Sequence, residues 1–381
     1  MHFKKSNLRS LVLIALAAIT FLAVIFFANK DRPVYRSSNT AGTDYEVGKV
    51  IRVVEDDKTV DEKMDGIWRG SMVLEVEILS GKYKGDTAIV ENYFSSLYNV
   101  RVLEGDKVSI RIDTTGEGEY QVSVYNYYRV PQIIICVVVF AALLVIIGGK
   151  KGAKSIAGLA FTIVCILWIL LPLSLKGFSP LLVTIVLILI CNFFTFYILD
   201  GIQMKTTIAA VGSMLGVLSG AIFALLAQMA MSVTTYQMDE AETLLLITST
   251  TDLQVKDLFL CGILISCMGA VMDVSMSICS AIAEIHQVQP SLGTGKLFKS
   301  GMNIGRDAMG TMANTLILAL AGNSLNMMIM IYSYDVSFQQ LMNTDFIGIE
   351  IIQCIAGSVG IVFTVPLVAL LSAAVFGRKK K

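Results

Sequence analysis

From Pro131 almost to its end the chain is apolar, and no other feature of the sequence limits the fold as strongly. Hydrophobic residues make up 55% of the 381 residues and charged residues only 16%, and the mean hydropathy is +0.70. An ordinary soluble domain is about 45–50% apolar and about 25% charged. The composition therefore predicts an integral membrane protein.

The apolar runs are long enough to cross a bilayer as helices. About 20 helical residues cover the roughly 30 Å of hydrocarbon, and seven runs between residues 131 and 376 approach or exceed that length. An eighth run, residues 10–29, follows the basic segment 1–9, and Phe26 and Ala28 make a poor signal-peptidase site, so we expect a retained anchor. We predict an α-helical integral membrane protein of about eight transmembrane helices, with the seven later spans at 131–147, 155–171, 179–199, 207–231, 258–283, 308–332 and 349–376.

Lysine and arginine are concentrated in alternate loops of this arrangement, while the loops between them carry mainly Asp and Glu. Basic loops stay on the cytoplasmic side of a membrane. We therefore expect the basic tails 1–9 and 377–381 in the cytoplasm and residues 30–130 outside. A chain with an even number of spans has both termini on the same side of the membrane, which agrees with this orientation.

Residues 39–129 have a different composition. Short runs rich in Val, Ile and Tyr alternate apolar and polar residues, and Gly-containing turns separate them, which predicts about five antiparallel strands. A domain of this size and strand count favours a small extracytoplasmic OB-like barrel. The segment holds more acidic than basic residues, which argues against nucleic-acid binding. Binding of an extracytoplasmic protein partner and a passive covering role both remain open.

Polar residues interrupt the apolar run 258–283 at helical spacing. Asp273 and Ser277 share one predicted helix face with Ser266, Ser280 and Glu284. Counting from the outer end places Asp273 inside the membrane, in the half nearer the cytoplasm. A charged group in hydrocarbon is costly, so such residues are candidates for a functional site.

The next span begins with further polar residues, and its Asp, Thr and Asn positions follow helical spacing. We predict that this helix and the preceding one place their polar residues around one cavity open to the cytoplasm. The alternative is a structural ion pair between Asp273 and Arg306, with the serines bonded to their own helix. The residues of this second helix are Asn303, Arg306, Asp307, Thr311 and Asn314.

Gly212, Gly216 and Gly220 form a small-xxx-small stripe, which predicts close packing against another helix. The seven cysteines all lie in apolar runs, at spacings that do not resemble a zinc motif. We therefore expect packing roles for the cysteines, no metal site and no cofactor.

Two blocks carry a resemblance to a known family. The segments GAVMDVSMSICSAIAEI and SGMNIGRDAMGTMANTLILALAG resemble the signature segments of the YibE/F-like family of bacterial multispanning membrane proteins. The resemblance covers about residues 150–377. It implies the family's architecture in a bacterial cytoplasmic membrane and a functional role for the polar residues of these blocks, namely Asp273, Asn303, Arg306, Asp307 and Asn314. It implies no particular reaction.

Three functions compete. A transporter or channel for an ion or small polar solute fits the intramembrane carboxylates and their hydroxyl and amide neighbours. A non-catalytic scaffold would use the outer domain to recruit a partner. An intramembrane aspartyl protease would pair Asp273 with Asp307, yet the sequence around Arg306 matches a GxGD loop only partly, and no catalytic residue is assigned. Nucleotide-driven transport is not supported, because no GxxxxGK[ST] loop is present.

Overall fold

The computed structural model describes residues 18–33, 42–64, 66–96, 98–114, 119–238, 241–334 and 336–377. The predicted tail 1–9, the first part of the predicted anchor 10–29 and nearly all of the tail 377–381 lie outside the described residues. The described residues divide into two compact units, one of residues 42–143 and one of residues 18–33 and 144–377.

The first unit is a half-barrel of antiparallel β-strands. Apolar residues alternate along each strand, so one face of the sheet is buried; in β3 the buried residues are Met72, Leu74, Val76 and Ile78. The sheet order is β2-β3-β1-β5-β6; β2 continues the pairing of β1 along one edge of β3, and β4 pairs with the other edge. The predicted small β domain is confirmed at this level, while closure into an OB-like barrel stays a prediction. The strands are β1 (Thr43–Asp56), β2 (Thr59–Val60), β3 (Trp68–Ile78), β4 (Thr87–Phe94), β5 (Lys107–Thr114) and β6 (Tyr120–Tyr127).

The long central strand β1 bends the sheet. Its pairing with β3 shifts register twice, between Val50 and Arg52 and between Val53 and Glu55. Such bulges add local twist and curve a sheet. Near the start of β3, Gly70 has φ +92, and a Cβ there would overlap the carbonyl oxygen of Asp57. This position therefore accepts only glycine without a shift of the backbone.

The second unit is helical. The described residues of the chain include five helices long and apolar enough to cross a membrane, or six if the bent pair α8 and α9 forms one span; the first of the five, Val130–Leu175, begins within residues 42–143. α8 ends beside Gly322 and Asn323, and α9 leaves it at an angle of 58°. The α-helices of the described residues are α1 (Ala18–Asn29), α2 (Val130–Cys165), α3 (Leu171–Leu175), α4 (Pro180–Asp200), α5 (Met204–Met231), α6 (Ala241–Thr248), α7 (Leu258–Val288), α8 (Thr294–Asn323), α9 (Leu325–Ser333), α10 (Phe338–Met342) and α11 (Asp345–Phe376).

The difference between eight predicted spans and five or six candidate helices has two sources. Val130–Leu175 counts as one stretch of 46 residues, although it contains two predicted spans and α2 breaks between them at Gly149 (φ 55). The described part of the first anchor, α1, is too short to span alone. The count of eight therefore stays a prediction.

α11 is the central packing element of the helical unit. A Cβ on Gly220 of α5 would lie 2.8 Å from the carbonyl oxygen of Ala356 in α11, and Cβ atoms on Gly212 and Gly216 would overlap Val368 and Thr364. The three glycines thus lie where the backbones of α5 and α11 approach most closely. Close approach through small residues is the common way that helices associate in lipid.

α1 packs against the segment that follows the Gly149 break. The rings of Phe21 and Phe161 stack at 5.0 Å, and the Asn29 side chain donates to the Trp168 carbonyl at 2.9 Å. Ile166–Leu170 forms a single π-helical turn between α2 and α3. Together these contacts anchor the described part of α1 to the helical unit.

Candidate functional site

α7 and α8 pack antiparallel in a register that their glycines define. A Cβ on Gly305 would lie 3.0 Å from Ile278, and one on Gly301 would lie 2.6 Å from Ile282. The residue numbers of each pair add to 583, as expected for antiparallel helices in a constant register. A residue of α8 is therefore level with the residue of α7 whose number completes this sum.

The same register holds about three turns further along α8. Leu316 of α8 and Cys267 of α7 both reach the Cβ position of Gly357, within 2.7 and 3.5 Å. The register is therefore constant over this stretch. It places Asp273 at the level of Gly310.

Asp273 lies at the centre of α7. The helix runs from Leu258 to Val288, so Asp273 is fifteen residues from either end. At about 1.5 Å per residue, each end of the helix is about 22 Å away. If the bilayer is centred on α7, this carboxylate lies at the depth where a charge is most costly, and its predicted place in the cytoplasmic half of the membrane stays a prediction.

The side of α7 that contains Asp273 is not covered by the rest of the chain. Its exposed residues recur every three or four positions, so they form one stripe. The other side is buried and almost wholly apolar. Every exposed residue from 262 to 284 is Gly, Ser, Asp or Glu: Gly262, Ser266, Gly269, Asp273, Ser277 and Glu284.

α8 exposes a second polar stripe. All five of its predicted site residues are exposed, together with Gly310. Asp307 is two residues from Gly305, or about 200° around the helix, so it lies opposite the contact with α7. Thr311 bonds back to the carbonyl of Ala308 at 3.0 Å. We call the combined surface the polar face: residues 262, 266, 269, 273 and 277 of α7 with 303, 306, 307, 310, 311 and 314 of α8.

The neighbouring helices expose very different residues. The exposed stripe of α5 is apolar, as is that of α4. Such surfaces suit contact with lipid chains, whereas the polar face does not. The contrast identifies the polar face as the candidate site. The apolar stripes consist of Val211, Leu215, Ile222, Leu226 and Met229 on α5 and Leu182, Val186 and Ile190 on α4.

The alternative of a structural ion pair is not observed. Among the described residues Asp273 and Arg306 form no salt bridge, and the ion pair of the helical unit joins Lys205 to Asp200 at 2.9 Å. In a single chain the polar face is open along its length, so one copy does not enclose the predicted cavity. The described residues also contain no group of three or more His, Cys, Asp or Glu arranged to hold a metal.

Sequence reasoning missed two features of the helical unit. The first is the glycines of the polar face, Gly262, Gly269 and Gly310, whose spacing matches that of the polar residues. The second is a buried polar contact in which the Ser213 hydroxyl donates to the Asn192 side-chain oxygen at 3.0 Å. This contact was predictable in part, because an asparagine within the apolar run 179–199 is expected to have a polar partner.

The β unit has its own cavity of about 320 Å³, lined by Gly66, Trp68, Asn99, Arg101, Leu103, Asp106 and Tyr127. The Trp68 ring lies 4.7 Å from the Arg101 guanidinium and 5.8 Å from the Lys58 ammonium group. Asn99 fixes the cavity wall by bonding both backbone polar groups of Trp68, at 3.1 and 2.8 Å. Aromatic and cationic groups in a small cavity are typical of a binding surface.

Asp61 and Tyr120 are among the titratable groups of the β unit that have shifted pKa values. The Arg69 side chain, and then the amide of Lys63, hold the pKa of Asp61 below its usual range. The hydrogen bond from the Tyr120 hydroxyl to the Asp86 carboxylate, at 2.9 Å, raises the pKa of Tyr120. Both groups stabilise turns of the sheet.

Several long apolar helices, a polar stripe at their centre and a small β unit fit one class, the multispanning α-helical membrane proteins. Family comparisons agree with this class. The model for YibE/F-like protein matches residues 136–378, and the model for the YibE/F family N-terminal domain matches residues 41–127. The chain belongs to the YibE/F-like family, as its two polar blocks predict. No curated protein matches the chain, and no solved structure does.

Proposed function

We propose that the polar face of α7 and α8 forms a transmembrane pathway for an ion or small polar solute. The observation that carries this proposal is the uninterrupted stripe of small and polar residues on α7 with Asp273 at its centre. From Gly262 to Glu284 the stripe is about 33 Å long, close to the roughly 30 Å of bilayer hydrocarbon. A polar surface that crosses the full apolar thickness is better explained by the passage of a polar solute than by a purely structural role.

The charges of the face favour a positively charged solute. Each chain contributes two carboxylates, Asp273 and Asp307, and one guanidinium, Arg306. One negative charge per chain therefore has no partner on the face. Oxygen ligands from Ser277, Asn314 and their neighbours suit a hydrated or partly dehydrated cation, or a proton carried on Asp273.

The proposed setting is the bacterial cytoplasmic membrane, with both termini in the cytoplasm and residues 30–130 outside. The distribution of Lys and Arg among the loops supports this orientation. Cysteines placed at Ser249 and Gln289, which precede and follow α7, should react with an impermeant thiol reagent from opposite sides. Labelling of both from the same side would contradict the orientation.

Proteolysis has less support from the geometry. An aspartyl protease needs two carboxylates close enough to share a proton. Asp307 points away from the contact between α8 and α7, and Asp273 lies about 140° around α7 from Ile278, which forms that contact. The two side chains of one copy therefore point outward from the helix pair, and Arg306 adjoins one of them.

Ligand-dependent thermal unfolding in nanodiscs tests the proposal. A ligand that binds only the folded protein stabilises it by about 2.7 kcal/mol at a hundred times its Kd. At a fixed pH, we expect Na⁺, K⁺, Mg²⁺ or a small cationic metabolite to raise the midpoint for the wild type and to have no effect on Asp273→Asn. The matched control, Asp345→Asn at the start of α11, should respond like the wild type.

Either of two outcomes would contradict the proposal: no ligand of the panel changes the wild-type midpoint, or Asp273→Asn responds as fully as the control. A scaffold gives its own pattern. Its function would survive Asp273→Asn and be lost when residues 43–128 are deleted, because the β unit would bind the partner.

A further inference from the structure

The polar face needs a cover that the described chain does not supply. Hydrocarbon does not solvate carboxylates, a guanidinium and amides. Within the helical unit α1 packs against Phe161 and Trp168, and the inner sides of α5 and α11 pack against each other. Among the described residues of this unit, these elements leave the outer sides of α7 and α8 open.

The glycines of the face point to close packing. Gly301 and Gly305, on the inner side of α8, would each clash with a neighbour if a Cβ were added, as would Gly216 on α5. Gly262, Gly269 and Gly310 have nothing within 4 Å of the same position. Small residues spaced three and four apart allow a second helix pair to approach to backbone contact.

The charges of the face complement those of a second copy. Two copies inserted in the same direction are related by an axis along the membrane normal, so residues of equal depth meet. Arg306 is level with Ser277 in the register of α7 and α8, about 6 Å along the axis from Asp273. Whether α8 of one copy meets α7 or α8 of the other, each guanidinium finds a carboxylate of the opposite copy within its reach.

The area is sufficient for a specific contact. From the level of Gly262 to that of Asn303 the face is about 27 Å long, and it is about two helix diameters, or 20 Å, wide, which gives roughly 540 Å² per copy. Two copies would bury roughly 1,100 Å² in total, and a specific interface should exceed about 1,000 Å². The face is therefore large enough for a specific dimer.

We infer that the polar face is the contact surface between two copies of this chain in the membrane. This inference concerns assembly, and it holds whether or not a solute passes through the interface. In the dimer the two faces enclose four carboxylates and two guanidinium groups between them. If the proposed function is also correct, the cation pathway runs along the interface of the two copies.

Disulfide crosslinking of the full-length protein in nanodiscs tests the inference. The background carries Cys136→Ala and Cys354→Ala, which removes the two cysteines that are not buried. We expect oxidation to link copies through one or more single cysteines on the face, at Ser266, Gly269, Ser277, Thr311 or Asn314. Leu215→Cys on the apolar stripe of α5, at the depth of Asp273, should remain uncrosslinked.

The mass of the nanodisc particle provides the second measurement. The wild type should contain two chains, and Gly269→Leu should lower the dimeric fraction at least tenfold because the larger side chain blocks close approach. Ala160→Leu, which adds one carbon fewer at an exposed position of α2, should leave the dimer intact. A monomeric wild type, or crosslinking at Leu215→Cys but at none of the five face positions, would overturn the inference.

The two proposals fail in distinguishable ways. Crosslinked dimers without any ligand response would refute the transport proposal and keep the interface. A ligand response that depends on Asp273 in a monomeric particle would refute the interface and keep the transport proposal.

Discussion

Gly216→Ala should destabilise the helical unit because it adds a methyl group where three helices meet. A Cβ at this position would overlap the Thr364 hydroxyl and lie 3.1 Å from Val271. Thr364 would have to turn, which breaks its 2.7 Å hydrogen bond to the Gly360 carbonyl.

The expected magnitude combines three contributions. Overpacking costs about 1–3 kcal/mol, and the lost hydrogen bond costs about 0.5–1.5 kcal/mol. Replacing glycine by alanine in a helix offsets about 0.5–1 kcal/mol of this loss. The net prediction is a decrease of about 2 kcal/mol in the free energy of unfolding.

Reversible unfolding by SDS from mixed micelles, followed by far-UV circular dichroism, measures this change. The matched control is Gly269→Ala, since a Cβ there meets nothing within 4 Å and alanine is still small enough for a helix interface. We expect the control to be neutral or slightly more stable than the wild type. Equal unfolding free energies for the two variants would refute the assignment of Gly216 to the junction of α5, α7 and α11.

Three further predictions concern single contacts. Arg69 lowers the folded-state pKa of Asp61, so the stability that Asp61 contributes is present above its unfolded pKa of about 3.9 and is lost as the pH falls through the folded pKa. Between about pH 6 and pH 3, the thermal midpoint of the β unit should therefore fall less in Asp61→Asn than in the wild type. An equal fall in both proteins would contradict the assignment. Ser213→Ala removes the hydrogen-bond donor to buried Asn192 and should lower the unfolding free energy by about 1 kcal/mol. In an Asn192→Leu background the same change should have little effect. Equal effects in both backgrounds would show that the two residues are not coupled. Gly70 has φ +92, and Gly70→Ala would press a Cβ against the carbonyl oxygen of Asp57, which should lower the unfolding free energy by about 1–3 kcal/mol. We expect amide hydrogen exchange in β3 to be faster in this variant. Exchange at the wild-type rate would exclude the predicted strain.

The β unit follows closely from sequence because its signal is local. Alternation of apolar and polar residues fixes which face of a strand is buried, and Met72, Leu74 and Val76 are buried as the pattern requires. The five predicted strands are present, and among the described residues the two-residue strand β2 is the only addition. Closure of a barrel depends on contacts between strands far apart in the chain, which local alternation does not encode.

The helical unit follows less closely, because apolar runs show where helices lie and not which side faces a neighbour. The alignment of Ser266, Asp273 and Ser277 on one side of α7 was predictable from helical spacing. That this side is open in a single chain depends on the packing of α11 against α5 and α8, which a single sequence does not show. The break at Gly149 was equally hidden, since glycine also occurs within transmembrane helices.

The central claim is that the polar face lines a hydrated path through the membrane, and its most direct test does not require the solute to be known. Single cysteines at Ser266 and Ser277, in the Cys136→Ala, Cys354→Ala background, are exposed to a small water-soluble thiol reagent in proteoliposomes. Because thiols react as thiolates in water and poorly in hydrocarbon, these two positions should react at least tenfold faster than Val211→Cys and Leu215→Cys, which lie between the same depths on α5. Equal, slow reaction at all four positions would contradict the account.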